Sequence, residues 1–339
     1  MDTVLNNEDL KSDTNKTKGI PGSTLKIIAI VAMLIDHTAA IVLDDFLAGH
    51  YPVSYTAENV ALFYQQYGAI YYLDMFMRCI GRFGFPIFCF LLIEGFMHTH
   101  DIKKYIRNLF IFALVSEIPF NLGFDSTLFN PDYQNVFFTL LIGVLTLTGI
   151  KYVGEEKKWS EKLTPLFYLA SLCLGALLGY ELHNGELGSF IVGFTQTDLG
   201  FVFFMIVGAI VGLAVMLINF NKWDADKKNA FTFGVIFVIA GTLIADLLKT
   251  DYSGWGVLTI VVMYLFRNNY KKRIGWGVFT LCFCSLLEVW AFLMLIPVAR
   301  YNGKRGLSLK YFFYAFYPVH ILLLYLIALA LGFTTFAIK

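Results

Sequence analysis

Long runs of apolar residues, separated by short polar stretches, dominate this sequence. A transmembrane helix needs about 20 mostly apolar residues, and the run at 199–219 reaches that length without a single charge. The pattern predicts an all-α, polytopic membrane protein with about ten transmembrane helices. The predicted spans lie near 25–43, 83–98, 105–122, 134–151, 163–180, 199–219, 230–248, 254–267, 274–297 and 311–332.

The segments outside these spans are polar. Residues 1–24 are too acidic for the start of a signal peptide and predict a disordered cytoplasmic tail. Residues 25–332 form the predicted transmembrane domain, and 333–339 form a short C-terminal tail. Residues 60–77 are nearly apolar enough for an eleventh span, but their tyrosines, glutamines and aspartate favour an interfacial or half-inserted helix.

Lysine and arginine are distributed unequally between the predicted loops. Such residues are enriched on the cytoplasmic side of membrane proteins. With the N-terminus inside, 18 of the 26 fall in inner segments, 7 fall in outer segments, and Lys339 marks an inner C-terminus. The sequence YNGKRG at 301–306 is the exception, because this topology places its basic residues outside. Either the loop is a statistical exception or it binds something anionic.

The composition supports a membrane protein and excludes other classes. Apolar residues make up 58% of the chain and charged residues 15%, with a mean hydropathy of +0.65, whereas a soluble chain has about 25% charged residues. The net charge of +1 argues against nucleic acid as a partner. Five cysteines without a CxxC pair predict neither a disulfide framework nor a zinc site.

Ionisable residues inside predicted spans are candidates for chemistry, because each costs at least about 2.5 kcal/mol in hydrocarbon. Asp36 and His37 are the most informative pair. Lys26 precedes His37 by eleven residues, which in a helix returns to nearly the same face about 16 Å away. Such a stripe suits a long ligand with an anionic head near Lys26 and a reactive end near His37, which is the shape of acetyl-CoA. A lone histidine is more often a packing residue.

The other polar residues in or near the spans have expected partners or roles. Asp36 is expected to pair with Arg78 or Arg82, which lie four residues apart on one face. Glu94 is expected to pair with a lysine of the following loop, Glu117 to reach outward to water, and His320 to pack as a core histidine or act as a second base. Besides the residues expected to act in catalysis or to bind a ligand, the site candidates are Arg78, Glu94, Glu117, Asn135, Asp251, Tyr252, Asn302 and His320.

Seven ordered motifs resemble the TraX family of membrane acetyltransferases. The resemblance extends from about 24 to 330, although 152–245 is similar only in hydropathy. The motifs are LKIIAIVAMLIDHTA (25–39), GRFGFPIFCFLLIEGF (81–96), SEIPFNLGF (116–124), NVFFTLLIG (135–143), TDYSGWGVL (250–258), YNGKRG (301–306) and FFYAFYPVHILLL (312–324). More distantly, Lys26 and His37 resemble the Arg–His pair of integral-membrane O-acyltransferases, with Lys in place of Arg.

The resemblance implies a transmembrane acyltransferase in the cell (inner) membrane. It implies acetyl-CoA as co-substrate, without a metal, and an exported acceptor. This acceptor is the N-terminal amine of a pilin or other peptide, with a cell-surface glycan as the alternative. The expected partners are thus the lipid bilayer, acetyl-CoA and this acceptor, and no nucleic acid. In this hypothesis His37 is the general base, supported by Asp36. Acetyl-CoA is bound by Lys26, Arg82, Lys304 and Arg305.

A different functional class uses the same buried groups. Asp36, His37, Glu117 and His320 would form a proton relay in a proton- or ion-coupled transporter. Transport of a solute without consumption of acetyl-CoA distinguishes this alternative from acetyl transfer.

Overall fold

The computed structural model describes residues 19–155, 164–195, 200–219, 222–307 and 310–335. Over these residues the chain is all-α, without a β-strand. In chain order the elements are α1 (Gly22–Thr38), a π-helical turn (Ala39–Leu43), α2 (Asp44–Ala48), α3 (Ala57–Gly81), α4 (Gly84–His98), α5 (Ile102–Asp125), α6 (Val136–Glu155), α7 (Thr164–Asn184), α8 (Glu186–Thr195), α9 (Gly200–Asn219), α10 (Ala225–Leu247), α11 (Ser253–Leu265), α12 (Tyr270–Leu281), a 3₁₀ helix (Leu286–Met294), α13 (Leu295–Ala299) and α14 (Lys310–Ala330).

Seven helical stretches in the described part of the chain are long and apolar enough to cross a membrane. The prediction of an all-α, polytopic membrane protein is therefore confirmed, while the orientation of its N-terminus remains a prediction. The stretches are Gly22–Ala48, Ala57–His98, Val136–Gly154, Leu166–Asn184, Gly200–Ile218, Ala225–Leu247 and Phe312–Ala330. Of the other predicted spans, 105–122 forms the more polar helix α5, 254–267 forms the 13-residue helix α11, and 274–297 is broken.

Several helices begin where the sequence supplies a capping side chain. Asp101, Asp224 and Asn269 each accept a hydrogen bond from the backbone N–H three residues later, at 2.8 to 3.0 Å, and Thr56 does the same at the start of α3. These side chains satisfy N–H groups that have no partner inside the helix. Within the predicted tail, residues 1–18 lie outside the described residues, and α1 already begins at Gly22.

Helices α3 and α4 form one continuous crossing. The ring of Tyr67 in α3 lies 5.8 Å from that of Phe46 in α2, and Arg78 further along α3 pairs with Asp36 in α1. Helix α3 therefore runs antiparallel to α1, and α4 continues in the same direction to His98. The segment 60–77 adds no separate crossing, and its expected position as an interfacial or half-inserted helix stays a prediction.

The segment 270–301 is a re-entrant hairpin, in contrast to the predicted span at 274–297. Helix α12 has 12 residues and is about 18 Å long, too short for a hydrocarbon layer of about 30 Å. After a turn at 282–285, which packs against Glu186, the chain returns through the 3₁₀ helix and α13. The rings of Tyr270 and Tyr301, at the two ends of the hairpin, lie 5.1 Å apart. The hairpin thus enters and leaves at the same end of the bundle.

This hairpin moves the YNGKRG loop to the end of the bundle where α1 begins. The backbone N–H of Ile20 donates to the carbonyl of Arg300 at 2.8 Å, and that of Gly22 donates to the carbonyl of Lys304 at 2.8 Å. Helix α14 then crosses to the other end, where the ring of Phe333 contacts that of Phe46 at 5.1 Å. The predicted placement of 301–306 at the end of the bundle opposite the start of α1 is wrong. Lys339 and its predicted inner position lie outside the described residues.

Side-chain burial is high along α4 and α11 and low along α9. Buried side chains such as Leu25, Phe90 and Ile260 belong to one large apolar cluster. Helix α9 is 6% buried over its most apolar window and contacts α7 through glycines, which let the two backbones approach closely. The tightly packed half of the bundle carries the cavity described next.

Candidate functional site

A cavity of about 760 Å³ extends into the bundle from the end where α1 begins. It is enclosed by α1, α4, α5 and α14 together with the start of α6. Exposed residues His98, His100 and Arg305 lie at its mouth, with Lys26 beside them on α1. Asp36 and His37 line its deep part. The volume is within the range of about 300–1,000 Å³ for sites that bind small molecules.

His37 faces this cavity and contacts a second histidine. Its Nδ1 lies 2.7 Å from Nε2 of His320 in α14, and His320 is only 5% exposed. The edges of Phe124 and Tyr317 flank the His37 ring, with centroids 5.3 and 5.9 Å away. The sequence thus placed His37 and His320 correctly among the polar residues of the spans, but their contact, 283 residues apart in the chain, emerges only from the fold.

Arg82 lies between two carboxylates beside His37. Asp36 pairs with Arg78 at 2.9 Å, as expected, and lies 3.9 Å from a guanidinium nitrogen of Arg82. Another nitrogen of Arg82 lies 3.4 Å from Glu288 in the 3₁₀ helix. Gly81 allows this arrangement, because a Cβ at that position would overlap Asp36. Arg82, predicted to bind the cofactor, is therefore part of an ion-pair chain that joins α1, α3 and the re-entrant hairpin.

The loop between α10 and α11 places Asp251 and Tyr252 in the cavity wall. The Tyr133 hydroxyl donates to Oδ1 of Asp251 at 3.1 Å, and the Thr139 hydroxyl donates to the Asp251 carbonyl. Separation from bulk water raises the pKa of Asp251 to about 6, although the bond from Tyr133 opposes the shift. Tyr252 stacks on Phe85 with centroids 3.8 Å apart. A carboxyl with a raised pKa thus lies in the same cavity as His37.

Near the cavity mouth, Glu94 forms a buried ion pair with Arg273. The Arg273 side chain is fully buried, and the Tyr301 hydroxyl donates to the other oxygen of Glu94 at 3.2 Å. The expected pairing of Glu94 with a lysine of the 99–104 loop is wrong, because the re-entrant hairpin supplies a closer cation. These contacts fix the hairpin and the start of the YNGKRG loop to α4.

Three other site candidates form hydrogen bonds away from the cavity: Glu117, Asn135 and Asn302. Glu117 accepts a hydrogen bond from the side chain of Asn135, in contrast to the expected reach toward water. The Asn302 amide donates to the carbonyl of Gly19 at 2.9 Å, and its oxygen accepts from the backbone of Lys304 at 3.0 Å. None of these three side chains lines the cavity, and Lys304 itself lies on the exposed side of the loop.

Several residues of the site are not among the predicted site residues. They are Tyr133, Arg273 and the exposed histidines His98 and His100 at the cavity mouth. Glu288 was recognisable as an ionisable residue within a predicted span, which is the signal that identifies it. Among the described residues, no cluster of three or more His, Cys, Asp or Glu side chains is arranged to hold a metal ion.

Comparison with known proteins identifies relatives over nearly the full length. A model of the family described as TraX protein matches residues 21–222 and 207–328. The chain is 31% identical over 312 residues to the probable fimbrial assembly protein FimC, serogroup H1, of Dichelobacter nodosus. This match covers 88% of the chain and 92% of that protein. No solved structure matches the chain.

Proposed function

Because the chain belongs to the TraX family, we propose that it is an integral-membrane acetyltransferase that moves an acetyl group from acetyl-CoA to an acceptor amine. The observation that carries the proposal is the continuous cavity with cations at its mouth and an imidazole in its depth. Lys26 and Arg305 lie at the mouth, and His37 lies about 16 Å further along α1.

The cavity mouth suits the phosphorylated end of acetyl-CoA. Lys26 and Arg305 belong to different segments, which the backbone bonds between 22–23 and 304–305 hold together. Arginine binds phosphate through two parallel hydrogen bonds, whereas lysine provides a compact charge. The apolar walls beyond the mouth, including Phe88 and Leu109, would accept the pantetheine arm and direct the thioester toward His37.

His37 is the proposed general base. The neutral acceptor amine attacks the thioester carbonyl, so that a C–N bond forms and the C–S bond breaks. One nitrogen of His37 takes the proton from the attacking amine and returns it to the leaving CoA thiolate. General-base catalysis of this kind contributes about 10²- to 10⁴-fold. Transfer through an acetyl-histidine uses the same residue and differs in proceeding by two displacement steps.

The proposed acceptor is the N-terminal amine of a pilin or another exported peptide. The name of the fimbrial assembly relative supports this class of acceptor. The proposed location is the cell (inner) membrane. With the N-terminus inside, the position of the YNGKRG loop beside Gly22 makes the cationic mouth cytoplasmic, where acetyl-CoA is available, and increases the excess of basic residues on that side.

The proposal is tested with the full-length protein purified in detergent. Radiolabelled acetyl-CoA and a synthetic peptide with a free N-terminus should give labelled peptide and free CoA. His37→Ala should lose at least about 10²-fold in rate. His183→Ala is the matched control, because its side chain does not line the cavity. Normal transfer by His37→Ala would overturn the proposed role of this residue.

A second arm of the experiment separates acetyl transfer from transport. A peptide with a blocked N-terminus should not be labelled, and a soluble oligosaccharide should not compete with the free peptide. Proteoliposomes that move a solute or protons without consuming acetyl-CoA, together with no transfer to any acceptor, would refute the enzyme and favour the transporter.

A further inference from the structure

We infer that His320 is a positioning residue that fixes the tautomer of His37, so that Nε2 of His37 is the unprotonated nitrogen that faces the cavity. The kinetic part of this inference rests on the proposed function. The tautomer itself is a property of the protein and can be measured without substrate.

The first step concerns His320 alone. Its Nδ1 lies 2.7 Å from the backbone carbonyl oxygen of Phe316, one helical turn earlier. A carbonyl oxygen can only accept, so Nδ1 of His320 must carry the proton. In a neutral imidazole the other nitrogen is then an acceptor. The backbone of α14 therefore determines that Nε2 of His320 presents a lone pair.

In the second step, the position of the proton on His320 determines the position of the proton on His37. Nδ1 of His37 and Nε2 of His320 are 2.7 Å apart, the ring centroids are 4.9 Å apart, and the ring planes differ by 9°. When two imidazole rings lie end to end in one plane, an N–N distance of this length gives the observed separation of the ring centroids. The hydrogen bond is thus close to linear. Since Nε2 of His320 accepts, Nδ1 of His37 donates, and Nε2 of His37 is left without a proton.

The surroundings of the pair distinguish it from a histidine held by a carboxylate. The nearest carboxylate in sequence, Asp36, is committed to Arg78 and Arg82, and both arginines act on His37 as neighbouring positive charges. Phe124 and Tyr317 cover the ring edges. A neutral orienting partner adds no negative charge to stabilise the imidazolium. The partner that orients His37 is thus a neutral imidazole and not a carboxylate.

The tautomer is measured by side-chain NMR of the full-length protein in detergent, labelled with ¹⁵N-histidine. The chain has six histidines, and comparison with His37→Asn identifies the signals of His37. At neutral to mildly basic pH we expect a protonated Nδ1 and an unprotonated Nε2 at His37. In His320→Leu we expect a mixture of tautomers. A wild-type His37 with its proton on Nε2 would overturn the inference, whatever the activity of the protein.

Two substitutions provide the kinetic test. His320→Leu removes the acceptor, whereas His320→Gln restores an amide oxygen near the position of Nε2. We expect His320→Leu to lower kcat by about 10²-fold, the lower end of the contribution of general-base catalysis, with an unchanged KM for acetyl-CoA. His320→Gln should recover about tenfold of this loss.

Equal activity of the leucine and glutamine variants, or a change in KM in place of kcat, would contradict the positioning role. The absence of acetyl transfer in the wild-type protein would instead refute the proposed function, and the NMR result would still decide the tautomer.

Discussion

Replacing Gly81 with alanine should disturb the contact between α3 and α1 at the depth of the site. A Cβ at position 81 would overlap Oδ1, Cβ and Cγ of Asp36. Asp36 cannot yield freely, because Arg78 holds it at 2.9 Å and Arg82 lies 3.9 Å away. Either the two helices separate or the Asp36–Arg78 pair breaks. Both responses are forms of overpacking, which costs about 1–3 kcal/mol.

Gly154→Ala is the matched control for this substitution. It also adds a methyl group to a helical glycine, but no atom lies within 4 Å of the new Cβ. Alanine is intrinsically favoured over glycine in helices by up to about 1 kcal/mol, so Gly154→Ala should be neutral or stabilising. The difference between the two variants, measured by equilibrium unfolding in mixed detergent micelles, should be at least about 1–3 kcal/mol.

Activity gives a second measurement on the same two proteins. Asp36 is adjacent to His37, so a displaced Asp36 should lower the rate of acetyl transfer in Gly81→Ala and leave Gly154→Ala unaffected. Equal stability and equal activity of the two variants would refute the close packing of α3 on α1 and the argument built on it.

Three further predictions test other parts of the molecule. In a background without native cysteines, Lys304→Cys should react with a membrane-impermeant maleimide from the same side of the membrane as Lys103→Cys. Asp132→Cys should react from the opposite side. If Lys304→Cys and Asp132→Cys react from the same side, the re-entrant hairpin is refuted. Because the folded-state pKa of Asp251 is raised to about 6, ionisation of this side chain destabilises the folded protein. The thermal midpoint of Asp251→Asn should therefore rise relative to that of the wild type as the pH increases from about 4 to about 6. A difference in midpoint that does not depend on pH would contradict this. Arg273→Met should lower the free energy of unfolding by about 3–5 kcal/mol, because it leaves the buried Glu94 carboxylate unpaired. The double variant Arg273→Met/Glu94→Leu should recover part of this loss. If thermal stability does not recover, the loss comes from packing.

Local periodicity explains which parts of the site were predictable. Lys26 and His37 share one helix, so their common face follows from the repeat of 3.6 residues per turn, and both line the cavity. The partner of Asp36 was predictable because Arg78 and Arg82 are four residues apart, a spacing that places both on one face of a helix. Contacts between distant segments were not, because neither Arg273 nor His320 carries a local signal for its partner in α4 or α1.

The re-entrant hairpin shows what hydropathy does not detect. Residues 274–297 are mostly apolar, and their mean hydropathy does not report a reversal of chain direction. A local signal was nevertheless present in the sequence S-L-L-E at 285–288, a pattern typical of a helix start. Ser285 does cap the 3₁₀ helix, accepting from the backbone of Leu287 at 3.3 Å.

The turn of this hairpin also constrains the order in which the protein assembles. Lipid offers no hydrogen-bonding groups, and the turn obtains them from Glu186, whose carboxylate accepts from the Ser285 hydroxyl at 3.0 Å and from the Leu286 N–H at 2.7 Å. The hairpin therefore has no stable place in the bilayer before α7 and α8 have been inserted. During biogenesis the hairpin should therefore insert late, after the earlier helices have assembled into a bundle.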